Sequence, residues 1–155
     1  MSRALRIGLT CVSCTLATAI AILLTLAVML PGVTHDARLS RETGAVRAIA
    51  TIHTAEAQYY SVSGHFAASM QQLGQSEANL IARDLANGEK NGYKFTLQTT
   101  PAGYTISAAP TQFGITGSRT YLSDEGMGIH MHAGPEPATA SDPLLGETAR
   151  QKEAK

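Results

Sequence analysis

The residues able to do chemistry are few and scattered. His130 and His132 stand two apart, and on a strand that spacing turns both imidazoles to one face, where they could share a metal ion. Two imidazoles do not close a tetrahedral shell, and Asp124 or Glu125 would have to supply a third ligand. A polar, solvated sheet face is the plainer expectation. Cys11-x-x-Cys14 has the spacing of redox and metal motifs. Both cysteines fall within an uncharged apolar run, however, and read as two small buried side chains. Asp124-Glu125-Gly126 specifies too few oxygens for calcium and reads as a hairpin turn. His53 lies on the apolar stripe of a helix and is expected as a hydrogen-bonded packing residue, whereas Glu56 is expected on a solvated helix side. No phosphate-cradling glycine loop and no serine nucleophile motif is present. The reading is of a protein without catalysis and without a cofactor. Its net charge of zero supplies no basic surface for nucleic acid.

The elements that carry these residues begin with the uncharged run Ile7 to Leu30. At about 1.5 Å per residue it is long enough to cross a hydrocarbon core of roughly 30 Å. Arg3 and Arg6 precede it and favour a cytoplasmic N-terminus. A secretory signal is the rival reading, but the run exceeds the roughly 7–15 apolar residues of such a segment. Pro31-Gly32-Val33-Thr34-His35-Asp36 is also a poor cleavage site. Residues 1–32 are therefore expected to be a basic start and a single-pass anchor, with a helix kink at Pro31. The head domain is expected over 33–134, followed by a disordered tail over 135–155, rich in proline and mixed charge.

From Ser40, placed to cap a first turn with Glu42 near the helix N-terminus, the pattern is helical. Val46, Ile49, Ala50, His53, Ala57 and Tyr60 form one stripe, read as facing a sheet. Ala45, Ala48, Ile52 and Ala55 form a neighbouring small-residue stripe, read as an assembly face for another helix. Gly64 ends the helix. Phe66 to Gly74 reads as a loop with a short turn anchored by Met70 and Leu73, and Glu77 to Asn87 as a short helix. Beyond the turn Lys90-Asn91-Gly92 the period becomes two. Strands are expected at Tyr93–Gln98, Tyr104–Ala108, Arg119–Ser123 and Gly128–His132, with a loop over Pro110–Gly117. The fold class is α+β: a long N-terminal helix, transmembrane then amphipathic, packed on a four-stranded antiparallel sheet. With no cysteine outside the apolar run, the head dispenses with disulfides.

Three stretches carry a resemblance between Glu42 and about Ala133. They are Ala45-Val46-Arg47-Ala48-Ile49 with Thr54-Ala55-Glu56-Ala57-Gln58-Tyr59-Tyr60; Asn91-Gly92-Tyr93-Lys94-Phe95; and Tyr104-Thr105-Ile106-Ser107-Ala108-Ala109-Pro110, followed by Gly117-Ser118-Arg119-Thr120-Tyr121 and Asp124-Glu125-Gly126. Together with the order of anchor, proline, amphipathic helix and meander, this chain resembles the type IV pilins and the pseudopilins of type II secretion. The resemblance implies a pilin-like head, no enzymatic activity, and assembly by helix–helix packing with other pilin-like subunits in a filament. It also implies a bacterial inner-membrane anchor, with the head periplasmic or extracellular. Processing of the kind seen in that family would fall at Gly8, leaving Leu9 as a new, methylated N-terminus. The glutamate such pilins carry a few residues beyond the cut is absent, with Ser13 or Cys14 in its place. That absence keeps a second expectation open: a solitary membrane-anchored binding domain that has lost filament assembly.

Overall fold

The computed structural model describes residues 35–75, 79–101 and 103–147. The expected anchor at Ile7–Leu30, the processing positions Gly8 and Leu9, the kink at Pro31 and the tail beyond residue 147 lie outside them. Among the described residues no helix is long and apolar enough to cross a membrane. The chain divides into two units, Met1–Ala37 and Arg38–Lys155, and apart from residues 35–37 the described residues belong to the second.

Helix α1 occupies residues 35–63. Ser40 lies inside it rather than at its cap. The buried positions Glu42, Ala45, Ala48, Ile49, Ile52, His53, Ala55 and Glu56 recur at steps of three and four, the signature of one face turned to a core. Thr43, Thr51 and Thr54 lie on the exposed side, each hydroxyl donating to the carbonyl four residues back at 3.0 Å. Gly44 sits where a hairpin turn crowds the helix: a Cβ there would come within 2.8 Å of Asn91 Nδ2. The N–H of Gly64, at φ +73°, bonds to Tyr60 O at 2.8 Å and closes the helix.

Two short helices follow, α2 at Met70–Gln75 and α3 at Arg83–Ala86. The sequence reading had a loop where α2 forms. It extended α3 back to Glu77, but Asn79 at φ +43° and the Leu80 N–H bonded to Leu73 O belong to a connection. The sheet has five strands, not four, in the order β1-β2-β3-β4-β5, all antiparallel. They are β1 Glu89–Lys90, β2 Tyr93–Thr100, β3 Gly103–Pro110, β4 Thr120–Asp124 and β5 Ile129–His132. The added strand is a consequence of Asn91-Gly92. Their φ values of +52° and +78° make the tight hairpin that folds Glu89–Lys90 back on β2.

Alternation decides which side chains go inside. Tyr93, Phe95 and Leu97 of β2, Tyr104, Ile106 and Ala108 of β3, and Tyr121 of β4 are buried with Ile49 and Ile52 of α1. Burying each such aliphatic side chain contributes about 1.5–3 kcal/mol before the cost of ordering the chain. Ala67, Met70, Leu73, Ile81, Leu85 and Ala86 extend the same core under the two short helices.

The segment expected as a disordered tail instead returns along β5 up to residue 147. Met131 N–H donates to Pro143 O at 3.0 Å, Leu145 N–H to Ile129 O at 2.9 Å, and Ala138 is buried. These bonds satisfy the outward edge of β5, which would otherwise present unpaired backbone groups.

Candidate functional site

Three groups of polar side chains bring together residues that the sequence leaves apart, and a fourth group is an apolar stripe on α1. The first is held between α1, β3 and β4. His53 Nδ1 lies 2.7 Å from Tyr104 Oη, and Nε2 lies 2.8 Å from Ser123 Oγ. Ser123 donates its hydroxyl proton to Gly128 O at 2.8 Å. Its oxygen must therefore accept from His53 Nε2–H, which leaves Nδ1 to accept from the Tyr104 hydroxyl. The ring is neutral, and burial holds its pKa below the ordinary value against the opposing pull of Asp124. Burial likewise pushes the Tyr104 hydroxyl up to about 12. A serine and a histidine at this distance look like a nucleophile with its base. Ser123 is fully buried and its proton is committed to a carbonyl, so the arrangement joins helix to sheet and excludes substrate. His53 is the hydrogen-bonded packing residue expected from its place on the stripe.

Two carboxylates of α1 are the second group. Glu42 Oε1 accepts from Ser118 N–H and Oγ, each at 2.8 Å, and Oε2 accepts from Arg119 Nη1 at 3.0 Å. Glu56, expected to be solvated, is fully buried instead. Its Oε2 accepts from Ala67 N–H at 2.9 Å, while Oε1 is buried with no hydrogen-bond partner among the described residues. Burial holds its carboxyl above the usual range, partly offset by the Ala67 bond. Glu42, Ile49 and Glu56 stand seven apart, which places both acids on the buried stripe. That spacing was the available signal for both, outweighed in a sequence reading by their charge.

The third group is His130 and His132. Both turn to the returning C-terminal segment: His130 Nδ1 lies 2.7 Å from Asp142 O, and His132 Nδ1 lies 2.9 Å from Asp142 Oδ1. His132 Nε2 is 3.5 Å from Glu136 Oε2. The Asp142 bond holds His132 above the ordinary imidazole value, and Asp142 is held down to about 2, first by His132 and then by its bonds from Thr139. Among the described residues no group of His, Cys, Asp or Glu could hold a metal ion, and Asp124 and Glu125 take no part. Asp124 Oδ1 accepts from Gly126 N–H at 3.0 Å within its own turn. Asp142 is the partner that sequence reasoning missed, since its segment was read as tail.

The fourth is the stripe Ala45, Ala48, Ile52 and Ala55, read as an assembly face. All four are buried in the core of their own chain, where small side chains let α1 approach the sheet. They are not available to another helix. Of the stripe assigned to the sheet, Ile49 and His53 are buried, but Ala50, Ala57 and Tyr60 are exposed. The buried arc lies between the two stripes and takes from both. The outward surface is Arg47, Ala50, Thr51, Thr54, Ala57 and Gln58.

A groove of about 770 Å³ beside α2 and α3 is lined by Gln71, Asn79, Arg83 and Asn87 among others. Among the described residues, no acid, histidine or cysteine lines it. Comparison with protein-family models, with curated proteins and with solved structures finds no match to this chain.

Proposed function

We propose that this protein is a membrane-anchored, pilin-like structural subunit, of the kind that builds a type IV pilus or a type II secretion pseudopilus. It acts by assembly rather than catalysis. The observation that carries this reading is the succession of elements: an uncharged run at Ile7–Leu30, then an amphipathic helix over 35–63 closed on one face by an antiparallel meander. The dead-end hydrogen bonding of the His53–Ser123 pair and the closure of His130 and His132 on Asp142 support a structural role. With Ala45, Ala48, Ile52 and Ala55 occupied inside the head, contact between copies falls to the apolar run and the outward side of α1. The location that follows is the bacterial inner membrane, with the head outside the cytoplasm.

The test is the intact mass of the protein extracted from its native membrane. A mass that retains the run to Leu30, either full length or beginning at Leu9, supports the anchor. A mass beginning near Thr34 makes the run a signal and overturns the proposal. Burial of the alanine stripe favours one second reading, a solitary anchored binding domain; it gives the same mass but does not associate.

A further inference from the structure

Between β3 and β4 the loop 111–119 is tied down along its backbone while two large apolar side chains are left outside. Thr111 N–H and Oγ1 both donate to Gly92 O, at 2.9 and 3.0 Å. Ile115 and Thr116 N–H both donate to Gln112 O, at 3.1 and 2.9 Å, and Gln112 N–H donates to Thr116 Oγ1 at 3.0 Å. Gly114 N–H closes on Gly117 O at 2.7 Å. Yet Phe113 is 47% exposed and Ile115 is 63% exposed. Exposed large apolar side chains on a fixed loop are a docking feature, because covering them costs little further chain ordering.

The position of the loop says what covers it. Arg41 Nη1 donates to Ile115 O at 3.3 Å, and Glu42 holds Ser118 and Arg119. The loop is thereby fixed beside residues 41 and 42 of α1, toward the end of that helix that leads back to the apolar run. Residues 31–40 are all that separate Leu30 from Arg41. Even fully extended, that connection spans less than about 40 Å, at 3.3–3.6 Å per residue. Leu39, also exposed, belongs to the same end. The local cations Arg38, Arg41 and Arg119 outnumber Asp36 and Glu42 by one.

We infer that the 111–119 loop docks on the bilayer surface, Phe113 and Ile115 entering the headgroup–acyl boundary while Arg41 stays among anionic headgroups. The inference rests on the anchor proposed above. A chain tethered this close to a bilayer meets lipid at high effective concentration, so two apolar side chains suffice where a free domain would need more.

The test uses the full chain in vesicles of phosphatidylethanolamine and phosphatidylglycerol. The protein has no tryptophan, so F113W is a single reporter. V62W, at a site 88% exposed and about 30 Å along α1 from Arg41 at 1.5 Å per residue, is the control. The expected result is flotation with the vesicles, a blue-shifted F113W emission, and loss of about half its intensity to lipids brominated high in the acyl chain, as for a side chain buried ~5–10 Å. V62W shows neither effect, and I115D added to F113W removes both. A floating chain whose F113W matches V62W overturns the docking and leaves the anchor standing. A blue shift without lipid quenching means that a second copy covers the loop, which also overturns it. A chain that does not float overturns the anchor and the docking together.

Discussion

At the scale of single residues, the head is held by buried polar groups whose partners come from far along the chain. Glu42 is the strongest case, joining α1 to the residues that lead into β4 by three hydrogen bonds. E42A leaves Ser118 N–H without its acceptor and Arg119 without its counter-charge. Because the Arg119 side chain is 41% exposed, water compensates part of the loss, and a cost of about 2–3 kcal/mol is expected in urea unfolding. Glu56 behaves differently. Its carboxyl is held above the ordinary range by burial, so the native chain keeps that proton to higher pH than the unfolded chain does. Its contribution is therefore most favourable below the unfolded value and falls as pH rises through the folded one. His53 contributes with the opposite sign, because its folded value is lowered. The informative quantity is the difference between E56Q and the native chain, in which the other groups cancel. E56Q should gain on the native protein from pH 4 to pH 7, read by denaturant midpoints at each pH. A constant difference would mean that Glu56 is not held protonated by burial. The packing role of His53 was legible from its spacing alone. The role of Glu56 was not, because its partner Ala67 N–H lies beyond Gly64, in a loop whose return only the fold specifies.

At the scale of elements, periodicity located the long strands and most of α1, because about six alternating residues or more than six helical turns outvote any local exception. It failed where there was no period to read. Two residues make β1, and the pairing comes from the turn chemistry of Asn91-Gly92. Proline content made 135–147 read as tail, yet Pro143 offers only its carbonyl to Met131, a role that needs no N–H. On α1, two neighbouring stripes were divided between sheet and partner, while one broad arc of the helix is buried. That outcome predicts an asymmetry between two alanines. A48L overfills the core and should cost about 1–3 kcal/mol, whereas A50L on the outward side should stay within about 0.5 kcal/mol, measured by chemical unfolding of both variants. The returning C-terminal segment gives a further prediction. The folded value of His132 is raised, chiefly by its bond to Asp142. That contribution is present in full below the ordinary value of 6.5 and is lost as pH rises through the raised one. Amide protection at Met131 and Leu145, corrected for intrinsic exchange, should therefore fall across this window. D142N should abolish the step and lower protection below it.

At the scale of the whole molecule, the α+β class and the order of helix before meander followed from hydropathy and period. How the head closes on itself did not, because that depends on which arc of α1 the sheet covers. The consequence bears on the proposed function: small residues that suit helix–helix packing are spent inside the head, so the proposed assembly uses the opposite side. The most direct measurement is the association of the full chain in its native membrane. A chain carrying A57C, with Cys11 and Cys14 replaced by alanine, would be treated with bismaleimides of graded length and resolved by size. The account predicts a covalent dimer linked through the outward side of α1, the end point for a chain that carries one thiol. A chain that stays in the membrane and remains monomeric at every linker length would contradict assembly, leaving a solitary anchored domain.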